Sequence, residues 1–153
     1  MILAACFYFF VIVSFSAQNA DESSALSFGI AEKLAKFFSF FGSDQSISDV
    51  ISLAGYFEHP IRKLAHFLEY GVLGMLLSGA FLPVMKIIRR ESGKGGKMYR
   101  WDVLIVFILA AFDELHQYFV PGRYASVWDV LLDTFGCIVC LFFVFLIFDR
   151  KKT

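Results

Sequence analysis

The sequence predicts an all-α polytopic membrane protein: a bundle of four transmembrane helices, with an amphipathic helix in an extracytoplasmic loop. Three observations carry this expectation. Of the 153 residues, 58% are hydrophobic and only 18% charged, and mean hydropathy is +0.67, a balance foreign to ordinary soluble domains. The apolar residues gather in four runs, each close to the roughly 20 helical residues needed to cross ~30 Å of hydrocarbon. Lys and Arg gather instead in two short segments, between the second and third runs and at the C-terminus.

The first run, Met1 to Ser16, predicts a span over residues 1–17. It lacks a basic flank, and "SFSAQ" (Ser14 to Gln18) only loosely suggests a small-residue cleavage site, so a retained helix is preferred to a signal peptide. The long segment from Gln18 to Pro60 follows. Within it "SALSFGIAEKLAKFFSFFG" sets Leu26, Ile30, Leu34, Phe37 and Phe41 at helical spacing, with Glu32, Lys33 and Lys36 between them, the pattern of an amphipathic helix. Such a helix lies either in the membrane interface or over the mouth of the bundle, because periodicity does not distinguish lipid from protein as the apolar partner. In "SDQSISD" (Ser43 to Asp49), Ser46 or Ser48 is placed to cap a short helix ending before His59 and Pro60.

The second run predicts a span over 64–85, and the link after it carries Lys86, Arg89, Arg90, Lys94, Lys97 and Arg100 around the glycine-containing "ESGKGGK". The third predicts a span over 102–120 and is marginal, because its last turn holds Asp113, Glu114, His116 and Gln117. "PGRYAS" then makes a tight turn opened by Pro121 and Gly122. The fourth span covers 127–148, and Arg150, Lys151 and Lys152 form the tail. The bias that keeps Lys and Arg in the cytoplasm puts the link, the tail and the N-terminus inside a multi-pass cell-membrane protein, and the other two connections outside. Topology therefore accounts for the basic loop, and formal net charge is zero, so membrane lipid is an expected partner and nucleic acid is not.

This topology gathers the polar chemistry at one depth, near the outer face. At about 100° per residue, Lys63, His66 and Tyr70 share a stripe of the second span, flanked by Arg62 and Glu69. Asp113 and Gln117 share one on the third with Glu114 beside it, and Asp129, Asp133 and Gly136 share one on the fourth. Ionisable side chains within a span cost several kcal/mol unless paired or wetted, so they usually face the bundle interior and mark sites. The plainer alternative is a set of structural ion pairs, Lys63 or Arg62 with Asp129 and Arg123 with Glu114. His116 lies off the Asp113 stripe and suits the interface.

"RKLAHFLEYGVLG", followed by "DELHQYFVPGRYASVWDVLLDTFG", with "VSFSAQ" closing the first span, resembles the VanZ-like family of bacterial membrane proteins over nearly the whole chain. The resemblance implies a single domain, 1–153. It places family positions on Lys63, His66, Glu69, Tyr70, Asp113, Glu114, Gln117, Arg123, Asp129 and Asp133. It implies a protein of the cell envelope that lowers susceptibility to glycopeptides such as teicoplanin by binding or altering a surface component, and it brings no reaction. Where many members have a second glycine after Gly136, this chain has Cys140, which bears on helix spacing.

Lys63 and Arg123 could clamp a phosphate, which fits an anionic or lipid-linked cell-wall component as partner. A membrane-embedded enzyme is the alternative, with Glu114, His66 or Asp113 as the acid–base group. No HExxH or similar spacing occurs, so neither a metal nor another cofactor is expected. Cys137 and Cys140 have CxxC spacing deep in an apolar helix and read as packing residues, as does Cys6.

Overall fold

The structure, a computed structural model, describes residues 1–40, 46–92 and 99–149, and is all-helical over them. Five helices follow in order: α1 (Ile2–Ser16), α2 (Ala20–Phe40), α3 (Ile47–Ser92), α4 (Tyr99–Gln117) and α5 (Val127–Asp149). The centre of the bundle is α3, which packs against the other four. Lys94, Lys97, Arg150, Lys151, Lys152 and Phe41 lie outside the described residues.

Among the described residues, α5 alone is a clear membrane crossing by length and apolarity, over Val127–Val144, while α1 and α2 meet at 102° and count as a second only as one bent span. The expected four spans are therefore not separated by hydropathy alone. Acids explain the case of α4, since Asp102, Asp113 and Glu114 all fall within its length. The surface of the bundle is nevertheless inverted relative to a soluble fold. Leu104, Phe107, Ile108, Phe112 and Leu115 of α4 are exposed, whereas Asp102, Asp113, Glu114 and Gln117 are buried. Soluble proteins show the reverse, and a contiguous apolar exterior marks a surface made for lipid or protein.

The amphipathic segment forms α2, but several of its larger side chains point away from the bundle. Ser27, Ala31 and Ala35 are buried, and the two alanines pack on Ala54 of α3. Leu26, Ile30 and Phe37 stay more than half exposed. Small residues at i, i+4 and i+8 allow two helices to approach closely, so α2 packs on α3 through its alanines, with Phe28 beside them, and leaves Leu26, Ile30 and Phe37 outward.

Ser46 caps α3, as its position suggested. Asp49 N donates to Ser46 Oγ at 3.4 Å and Ser46 N donates to Asp49 Oδ2 at 2.9 Å, a reciprocal capping arrangement. No helix end follows at Pro60, where the sequence predicts one. Proline removes one helical bond at a cost of ~3 kcal/mol, and the chain continues because Val50, Leu53, Phe57 and Ile61 all pack against the alanine face of α2, gripping α3 on both sides of the break.

Farther along, α3 and α5 cross at glycines. A Cβ on Gly136 would run into the Phe67 carbonyl, and the spaces over Gly71 and Gly74 are filled by the sulfurs of Cys140 and Cys137. Cys140 in place of a second glycine therefore leaves the crossing close. It fills the hollow that Gly71 provides.

Candidate functional site

Two short connections build the site. In the first, Arg123 N donates to the Val120 carbonyl at 3.1 Å across Pro121 and Gly122, with Gly122 at φ 78°. This is the geometry of a type II turn, whose third position favours glycine. In the second, Ala17 to Asn19, the chain bends from α1 into α2, and Ala20 N bonds the Pro121 carbonyl at 3.4 Å. The two connections meet there.

Arg123 is aimed at this corner. Its Nη1 donates to Gln117 Oε1 at 3.1 Å and its Nε to the Gln18 carbonyl at 3.3 Å. Gln117 Nε2 in turn donates to Asp113 Oδ2 at 3.2 Å, which also receives the Ser16 hydroxyl at 2.7 Å. A continuous polar chain thus ties the turn, α4 and α1. Glu114 accepts the Ser126 N–H at 2.7 Å, and Ser126 Oγ caps α5 by accepting from Asp129 N at 3.3 Å.

From α3, Lys63 forms an ion pair with Asp129, as anticipated. The anticipated Arg123–Glu114 pair does not form, because the glutamate is turned to the Ser126 N–H and the arginine to the α1–α2 corner. Arg62 donates to Ser24 Oγ of α2 at 3.3 Å. The result is a cavity of about 320 Å³. Lys63, His66, Glu114, Gln117, Arg123, Asp129 and Asp133 all line it, together with Arg62 and His59.

Three expected site residues do not line the cavity. Asp113 and Tyr70 are buried beside it at 1% and 0% exposure, and Glu69 lies next to His66, 3.9 Å from its Nδ1. His116 is exposed, off the site. Sequence reasoning missed Ser16, Ser24 and Ser126 as partners and His59 as a lining residue. Ser126 carried a usable signal, as an N-cap residue just before an apolar run. The others did not, because their partners are 38 to 97 residues away.

The electrostatics divide the cavity. No carboxylate lies within ion-pair distance of Arg62 or Arg123 among the described residues; both donate only to neutral oxygens. Desolvation by burial and then the like charge of Arg62 lower the Arg123 guanidinium from its ordinary value, although arginine remains charged. His66 Nδ1, Tyr70 Oη, Asp113 Oδ1 and Asp133 Oδ1 are buried without a hydrogen-bond partner. No three His, Cys, Asp or Glu side chains among the described residues are grouped to hold a metal ion, and Cys6, Cys137 and Cys140 are free thiols.

No curated protein and no solved structure matches the chain. A family model described as VanZ/LLP1 matches residues 1–148, nearly the full length and every element of the cavity. The chain belongs to the VanZ/LLP1 family, whose proteins are membrane-associated.

Proposed function

We propose that this protein is a four-span envelope protein whose cavity faces outward and binds a phosphate- or carboxylate-bearing surface component, lipid-linked or free. By holding or altering that component it lowers susceptibility to glycopeptides such as teicoplanin. One observation carries the reading: Arg62 and Arg123 line one cavity and neither is neutralised by a carboxylate in contact. Two like charges facing a common space repel each other, and a phosphate engages guanidinium forks in bidentate fashion.

The spans in this reading are α1, residues 64–85 of α3, α4 and α5, with both termini cytoplasmic. Support comes from the exposed aromatic residues of α4 and its following turn. Trp101 and Tyr118 are exposed and stand at the two ends of the apolar face, about 26 Å apart at 1.5 Å per residue, the separation expected of interfacial aromatic belts. Tyr124 and Trp128, also exposed, would put the cavity at headgroup depth. With its exposed Leu26 and Ile30 and its 102° bend from α1, α2 would lie in the interface plane.

A second reading, a membrane-embedded enzyme, is favoured by His66, whose Nδ1 is buried and unengaged in the cavity wall; Glu114 or Asp113 would supply the second acid–base group.

The test pairs phosphate binding by purified protein with teicoplanin susceptibility normalised to membrane abundance. Arg123→Lys keeps the charge and loses the fork, so binding should weaken about tenfold or more and protection should fall while abundance holds. Parallel loss of abundance and protection in Arg123→Lys and Lys63→Met would instead mark the cluster as structural. Full protection in Glu114→Gln and His66→Gln would remove the enzyme form.

A further inference from the structure

The cavity is polar in two opposite senses. Arg62 and Arg123 line it with positive charge. Asp133, also in the lining, is 1% exposed and leaves Oδ1 buried without a donor. Lys63, the ammonium already in the wall, is held by Asp129.

We infer that the cavity takes a zwitterionic ligand of the aminoalkyl phosphate class, with its phosphate between Arg62 and Arg123 and its ammonium on Asp133. This deepens the anion-binding reading above and rests on it. A simple anion would satisfy the arginines and leave Asp133 Oδ1 in the wall without a donor, at a cost in affinity, because a buried polar atom without a hydrogen bond is expensive. A simple amine would leave the arginines uncompensated. A primary ammonium brings three donors, one of them for the unpartnered Asp133 Oδ1. At about 320 Å³ the cavity is at the small end of ligand sites, which run roughly 300–1,000 Å³. That is room for a headgroup and not for a polymer. Phosphoethanolamine, free or as a phospholipid headgroup, has this chemistry.

The experiment is calorimetric titration of the purified full-length protein with O-phosphoethanolamine, glycerol 3-phosphate and ethanolamine. Native mass spectrometry in nanodiscs of phosphatidylethanolamine or phosphatidylglycerol runs alongside. The aminated phosphate should bind about tenfold or more tightly than glycerol phosphate, the gain expected of one charge-assisted contact, and ethanolamine should bind weakly. Asp133→Asn should bring the aminated ligand down to the amine-free level, and Asp133→Glu should restore part of the preference. Binding of the soluble compound identifies a free ligand, and retention of the lipid alone identifies a membrane headgroup; either supports the inference. Equal affinity of wild type for aminated and amine-free phosphates overturns it, as does an unchanged preference in Asp133→Asn. Failure of every phosphate to bind, with no effect of Arg123→Lys, would sink the anion-binding reading as well, and is distinguishable from loss of the preference alone.

Discussion

At Gly136 the backbone of α5 meets Phe67 of α3 with no room for a methyl group, while Asp133, three residues earlier, lines a cavity of about 320 Å³. The same two helices build both regions, under different constraints. The crossing is a matter of shape: Gly71 and Gly74 provide hollows and the sulfurs of Cys140 and Cys137 occupy them. The cavity is a matter of charge and hydrogen bonding, with the Lys63–Asp129 pair and the Arg123–Gln117 bond in its lining and Asp113 behind Gln117. Added volume should therefore be most harmful at the crossing, and lost polarity most harmful around the cavity.

The largest effect should come from Gly136→Ala, because the obstructing atoms are the Phe67 backbone, which does not rotate away as a side chain would. Overpacking of this kind costs about 3 kcal/mol at the upper end of its usual range. Loss of the monodisperse peak in size-exclusion chromatography, or a steep fall in melting temperature in detergent, would register it; a wild-type melting curve would break the contrast. Ser16→Ala should come next. It adds no volume and removes a 2.7 Å bond to buried Asp113, at about 2 kcal/mol for a buried bond to an ionisable group. Ser16→Cys, which keeps the size and only a weak donor, should recover little of that stability in the same melting assay. Cys140→Ala should be the mildest, about 1 kcal/mol for removal of one methyl-sized group, with phosphate binding retained. If it proved costlier than Ser16→Ala, the crossing would owe more to its sulfurs than its geometry implies.

How far each region was legible beforehand follows from the range of its interactions. Lys63 and Asp129 fell on facing stripes of two helices, and their pairing was foreseeable because both stripes had to point inward. The Pro121–Gly122 turn was legible from two adjacent residues whose backbone preferences are intrinsic. Arg123 was expected on Glu114, nine helical and turn positions away in a register that the sequence leaves open; the turn aims it at Gln117 and the Gln18 carbonyl instead. Pro60 misled in the other direction, since its local cost is real but α2 packs on both flanks of it.

By itself the sequence determined that the chain is helical, where the apolar faces run and which polar residues share a stripe, because periodicity, proline and glycine geometry and the cost of desolvating a charge all act within a few residues. Only the tertiary structure decided that α2 seats its alanines on α3 and turns Leu26 and Ile30 outward, that Ser16 meets Asp113 across 97 residues, and that Arg62 and Arg123 share a cavity without a carboxylate in contact. Those outcomes depend on which surfaces come together first and most closely, and small residues permit an approach that hydropathy does not register.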